Sequence, residues 1–295
     1  MNTIKGNFFL LLASFIWGTT FIAQTTGMGF IGPLTFTFSR FFLGAITIIP
    51  LIIIFEKKLF SAIIKKTKTL IIIIFTSLSL GFGATLQQYA LLHTDVSNAA
   101  FITALYVPLV PIILTIVLKR KLHSSIWLAV SICLAGLYLL TSDSNSFKMK
   151  ISDMLLIFAS LAFAIQIILT DIYLKKNQAP FTLAFSQYFI VFIITFFLAI
   201  IFENPKLSNI SIEIFEIFYA GFLSVGIAYT LQILGQNKTA PAPAAIILSI
   251  EAVIAALFAW ILIDQSMSFI KIIGCILIFI GIIIAQIFPN LKKYN

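Results

Sequence analysis

Residues 33–42 read PLTFTFSRFF, and residues 180–189 read PFTLAFSQYF. The second block starts 147 positions after the first, and Pro, Thr, Phe, Ser and the final Phe coincide. A further pair, GFGATLQ at 81–87 and GIAYTLQ at 226–232, repeats at an offset of 145. At that offset Ala99 and Ala100 meet Ala244 and Ala245, and Gly136 meets Gly281. Thr-Leu-Gln is no apolar filler, so hydrophobic bias does not explain the match. The chain reads as one unit written twice.

Each copy holds five apolar runs of about twenty residues, the length at which a helix crosses roughly 30 Å of hydrocarbon. The expected spans are 7–26, 33–55, 69–92, 97–118, 124–142, 153–174, 181–202, 213–235, 241–263 and 268–288. Composition agrees: the 295 residues are 61% hydrophobic and 10% charged, against about 25% charged in soluble domains. The fold expected is an all-α integral membrane protein of about ten transmembrane helices. The copies occupy 1–142 and 153–288, joined by the polar stretch SDSNSFKMK and followed by a short tail at 289–295. Five is odd, so the second copy enters the bilayer in the opposite sense. Inverted five-helix repeats are related by a pseudo-two-fold axis in the membrane plane, and in secondary transporters the substrate site lies near the midplane between them.

The net charge of +9 is a topology signal. With alternate loops assigned to opposite sides, fourteen Lys and Arg fall on the N-terminal side and four on the other, with Arg40 inside a span. The asymmetry places both termini of a multi-pass protein in the cytoplasm, and leaves no nucleic-acid footprint. Acids fall mainly in or beside the outer loops, Glu203, Glu213 and Asp143 among them. Lys5 before an apolar run resembles a secretory leader, but nine further spans favour a retained first helix. Cys133 and Cys275 fall within spans and read as small apolar packers.

Glu251 sits about eleven residues from either end of its span. An ionised carboxylate facing lipid there is costly, by a few kcal/mol even on insertion scales, so it must face protein or a wet cavity. Two readings stand: a tether that fixes helix packing, and a substrate or proton site. Small residues surround it at helical spacing, Ala244, Ser249, Ala252, Ala255 and Ala259, which lets helices approach or leaves a cavity unfilled. Tyr106 is its repeat partner, 145 positions earlier, so the axis should bring the two to one place. Pro108 and Pro111 disturb the carbonyls of Ala104 and Val107, and backbone freed at membrane depth must be met by protein or by cavity water.

Arg40 lies about seven residues, roughly 10 Å, below the outer end of its span. Snorkelling, a fold-fixing contact, and an anionic ligand group all fit it, and an outer vestibule is its expected place. Its repeat partner is Gln187. Gln87, Gln232, Gln166, Gln88, Gln24, Tyr89 and Tyr229 supply donors and acceptors within spans, for a ligand or for one another. Trp17 is too deep for an interfacial belt and either lines the cavity or packs on Gly18. Asp171, four residues from Lys175, reads as a local ion pair. His93 and His123 sit at span ends, with no HExxH, CxxC or phosphate-cradling loop. No cofactor and no metal site is implied.

The chain resembles the drug/metabolite transporter superfamily, and within it the EamA-type transporters. The resemblance rests on FIWGTTFIAQ, IGPLTFTFSRFFLGA, TLQQYALLHTDVSNAAFITALYVPLVP, VGIAYTLQILGQNKTAPAPAAIILSIEAVIAALFAWIL and IIGCILIFIGIIIAQ. It implies a cytoplasmic-membrane carrier that moves a small metabolite, often an amino acid or derivative, by alternating access; some relatives export and others import. The sequence departs from the family pattern at Ala252, where Pro usually follows the Glu, at Asp264-Gln265 in place of Gly-Glu, and at Gln166 in place of a frequent His. The expected ligand-lining set is Glu251, Tyr106, Arg40, Gln87, Gln232, Trp17, Tyr229 and Gln166. The expected partners are a small-molecule substrate, the lipid bilayer and, as an open option, protons. Monomer and homodimer are both compatible. A flippase for a lipid or lipid-linked head group, a membrane-embedded enzyme and an interaction scaffold are the rival classes.

Overall fold

The computed structural model describes residues 2–63, 65–140, 150–264 and 268–291. Most of the polar connector, with Asp143 and Lys148, lies outside them, as do Gln265 and the end of the tail with Lys292 and Lys293. Every described element is helical.

In the first copy α1 (Asn2–Thr26) precedes α2 (Pro33–Leu51), which runs through a π-helical turn at Ile52–Glu56 into α3 (Lys57–Ile63). Then come α4 (Thr67–Ala90), the pair α5 (Val96–Thr103) and α6 (Tyr106–Ile116) that share one crossing, and α7 (Ser124–Leu140). The second copy repeats the order. Its first two crossings are α8 (Ile151–Asn177) and α9 (Pro180–Phe202); α10 (Leu207–Ile212) and α11 (Ile214–Phe218) then lead into a π-helix at Tyr219–Tyr229 and α12 (Thr230–Gln236). A second split crossing, α13 (Pro241–Leu248) with α14 (Ile250–Ile263), precedes α15 (Phe269–Leu291). Among the described residues nine helical stretches are long and apolar enough to span a membrane, and a tenth, Ser124–Leu139, is shorter. The protein is a multi-pass membrane protein of two five-helix repeats.

The copies interlock in mirrored pairs. α2 packs along α9 and α7 along α15, while α4 lies on α8 as α1 lies on the π-helix and α12. Gly136 of α7 faces Gly274 and Ile278, and Gly281 of α15 faces Ala129 and Cys133. Residues 274 and 278 follow 129 and 133 by the repeat offset of 145, so this contact maps onto itself under the axis. A Cβ at Gly136 would stand 2.6 Å from the Gly274 carbonyl oxygen; only glycine permits the approach. The later residue of α7 meets the earlier one of α15, so the two run antiparallel, as an inverted repeat requires.

The ends of α2 and α9 are tied in the same reciprocal way. Each begins with Pro at its first turn, preceded by Gly32 or Ala179, and neither has a capping side chain of its own. The first amides of a helix have no partner within it. Glu203, at the end of α9, supplies one for α2: it accepts from Leu34 N at 2.8 Å, Thr35 N at 2.7 Å and Thr35 Oγ1 at 2.7 Å. Glu56, at the end of the π-helical turn after α2, does so for α9, accepting from Phe181 N at 3.1 Å and from Thr182 N and Oγ1 at 2.7 Å each. The two glutamates are 147 positions apart, like the helices they cap. A carboxylate suits the positive end of a helix, and its hydrogen bonds are charge-assisted.

These contacts give work to two acids that the sequence places in or beside the outer loops. Glu203 is a cap between the copies. Glu213 is buried and accepts from Phe30 N at 2.9 Å.

Candidate functional site

The two split crossings break at equivalent places. Pro108 has no N–H to give the Ala104 carbonyl, which accepts from Val107 N at 3.0 Å instead. The second copy has no proline here, yet Ala252 N bonds the Ser249 carbonyl at 3.1 Å, and residues 249 and 252 are the repeat partners of 104 and 107. Ser249 Oγ donates to the Ile246 carbonyl at 2.7 Å, so a hydroxyl occupies a carbonyl where the helix is interrupted. Only the first of these breaks was legible, through its prolines.

Each break puts a polar side chain in the first turn of the following half-helix, Tyr106 on α6 and Glu251 on α14. The Tyr106 hydroxyl donates to Glu251 Oε1 at 2.8 Å, and both residues are buried. Repeat partners thus meet in a direct hydrogen bond, which is what a two-fold axis through this point produces.

The bond borders a partly open cavity, in which the empty space, open solvent included, comes to about 470 Å³. All eight residues named from the sequence line it. The first copy contributes Trp17 from α1, Arg40 from α2, Gln87 from α4 and Tyr106 from α6; the second contributes Gln166 from α8, Tyr229 from the π-helix, Gln232 from α12 and Glu251 from α14. Phe21, Thr103, Phe163 and Ser224 join them. Nothing in the sequence separates two of these from the other phenylalanines among 31.

Several amides are engaged with one another. Gln232 Nε2 donates to Gln166 Oε1 at 3.0 Å, and Gln166 Nε2 to Gln187 Oε1 at 3.0 Å. Gln87 Nε2 donates to Thr103 Oγ1 at 3.1 Å. These bonds tie α12, α8 and α9 together and fix the split helix against α4. Trp17 stacks at a tilt on Tyr229, with ring centroids 4.6 Å apart, so it lines the cavity; the neighbouring Gly18 packs instead on Ile254 of α14.

Arg40 does not snorkel, being 2% exposed. It borders the same cavity as Glu251, a point that its depth in the sequence had left open. Its Nη1 donates to Gln24 Oε1 at 2.7 Å, and its guanidinium carbon lies 5.3 Å and 5.9 Å from the ring centroids of Phe41 and Phe36, a cation–π range. It makes no ion pair: among the described residues those are Asp171 with Lys175 at 2.9 Å, as expected, and Asp171 with Arg120 at 2.8 Å. Cys133 is buried, with Sγ 3.8 Å from the Ile278 carbonyl, and no group of three His, Cys, Asp or Glu side chains among the described residues is arranged to hold a metal ion.

A model of the EamA-like transporter family matches residues 4–142 and 150–286. An uncharacterized transporter of Archaeoglobus fulgidus is 28% identical over 278 residues, covering 94% of this chain and 84% of its own. The uncharacterized transporter YwfM of Bacillus subtilis is 24% identical over 303 residues, covering 98% of this chain and 97% of its own. A chain solved by crystallography superposes with a TM-score of 0.79 at 15% identity, with 98% of each chain covered; that likeness concerns the fold alone.

Proposed function

This chain belongs to the EamA-like transporter family, and from that premise we propose that it is a secondary transporter carrying a small metabolite, an amino acid or related compound, across the cytoplasmic membrane by alternating access. Residues 1–142 and 153–288 are the two units that move against one another, with both chain ends in the cytoplasm. The observation that carries the reading is the cavity between the inverted copies, with the Tyr106–Glu251 pair on its wall. Ligand sites of inverted-repeat carriers lie at such interfaces, near broken helices. An intramembrane acid bordering a cavity is a functional group by default. Glu251 meets a cationic or donor group of the solute or carries the coupling proton, and Tyr106 holds one of its oxygens in place. Trp17 and Tyr229 give the solute an aromatic wall, while Gln87, Gln166 and Gln232 fix the helices that frame it.

The test is reconstitution. Wild-type protein in proteoliposomes should exchange labelled amino acids, while Glu251→Gln should insert normally and lose coupled exchange. Wild-type flux in that variant would remove Glu251 from the mechanism.

A further inference from the structure

Residues that line the cavity carry buried hydrogen-bonding groups that the protein leaves unmet, and these are weighted towards donors. Arg40 Nε, Arg40 Nη2 and Trp17 Nε1 are buried without a hydrogen-bond partner, against one lining acceptor in the same condition, Gln232 Oε1. Buried polar groups without partners are rare, and each calls for an explanation. Here three of the four fall on two residues of one cavity wall.

The guanidinium is used selectively. Gln24 takes Nη1, and the rings of Phe36 and Phe41 lie within cation–π distance of the group. The two unmet nitrogens, Nε and Nη2, share one edge of the guanidinium plane. That edge presents two parallel N–H bonds at the spacing of two carboxylate oxygens, the bidentate fork by which arginine recognises planar oxyanions. A lysine in this place would offer a point charge without the fork. No carboxylate lies within ion-pairing distance of Arg40 among the described residues, so its charge is also uncompensated by the protein.

Resting on the reading of this cavity as the transport site, we propose that the Nε–Nη2 edge of Arg40 is a carboxylate subsite, with the Trp17 indole N–H as its auxiliary donor, and that it selects solutes carrying a carboxylate. Glu251, on the opposite copy, receives the cationic end. A zwitterion leaves both charged side chains matched, whereas a phosphate dianion on the same edge leaves one negative charge in excess. The discriminating group is therefore the carboxylate, and its loss costs more than any change in the side chain.

The experiment uses the full chain in proteoliposomes preloaded with one of three cargoes: the twenty protein amino acids, their α-amides, or phosphoethanolamine. Cargo leaving by exchange is read by mass spectrometry. At least one amino acid is expected to exchange, its amide at least tenfold more slowly, and phosphoethanolamine at background. Arg40→Lys should lower exchange of that amino acid at least tenfold, and Trp17→Phe, which keeps one aromatic ring and removes the N–H donor together with the pyrrole half of the indole, about threefold to tenfold. Because an Arg40 variant can misfold, each variant's size-exclusion profile is compared with wild type, and Trp17→Phe with the amide series carries the test independently. Amides or phosphoethanolamine exchanging as fast as the amino acids, or undiminished exchange by both variants, overturns the carboxylate subsite and leaves the carrier reading intact. No exchange of any cargo overturns the amino-acid reading, and the subsite with it.

Discussion

Tyr106 and Glu251 show what one residue pair does at the centre of the molecule. Removing the hydroxyl in Tyr106→Phe takes away the donor to Glu251 Oε1 and leaves a buried carboxylate short of a partner. Hydrogen bonds to charged groups contribute about 1.5–3 kcal/mol, so exchange should fall by about tenfold or more while the protein still inserts; an unchanged rate would make the bond incidental. That the two residues meet at one place was legible in the sequence because two signals agreed: the acid is isolated in an apolar run, and the repeat offset leads from it to the tyrosine; the direct bond between them was not. The cavity position of Arg40 was less legible. Its sequence depth fitted an outer vestibule and left open whether it shares a cavity with Glu251, whereas the packing of α2 against the π-helix, with Gly221 against the Arg40 carbonyl, goes with its place in the cavity that Glu251 borders. Periodicity reports depth along a helix and carries no information on what its neighbours do.

Among the elements, α2 and α9 behave as one double-ended strut. Glu56 is 5% exposed while Glu203 is only half-buried, so the two caps are chemically alike and differently solvated. Glu56→Ala and Glu203→Ala should each destabilise the protein, by about 2 kcal/mol, with the larger loss at Glu56 because its orphaned amides have less access to water. Thermal unfolding in detergent measures the order, and the reverse order would contradict the burial argument. A double-mutant cycle of Glu203→Ala with Thr35→Val should give a coupling of about 0.5–3 kcal/mol. Local sequence rules could not find these caps, since they look for Ser, Thr, Asp or Asn just before the helix, and Gly32 and Ala179 stand there. The signal was available elsewhere: Glu56 and Glu203 repeat at the same 147-residue offset as Pro33 and Pro180. The break at Ser249 was missed for a similar reason, since no proline marks it and only the offset from Ala104 does.

The whole molecule is legible because a duplication of odd span count fixes its symmetry before any side chain is placed. Its equivalence can be tested at the seam between α7 and α15. Gly136→Ile and Gly281→Ile each push a side chain into the opposing backbone and should cost about 1–3 kcal/mol, by similar amounts if the axis relates the two sites. Strongly unequal losses of thermal stability would show that the two ends of the seam are not equivalent. Reporter fusions at the two chain ends should both read cytoplasmic, in keeping with the basic loops on that side; opposite readings would undo the even number of crossings.

The reciprocal caps also bear on how the chain is made. Leu34 leaves the ribosome 169 residues ahead of Glu203, and Thr182 arrives 126 residues after Glu56. The second helix therefore enters the bilayer with bare amides at its head and waits for its lid through most of translation. A nascent chain halted before residue 203 carries an unfinished helix end, and that end is what the quality-control proteases of the membrane would meet.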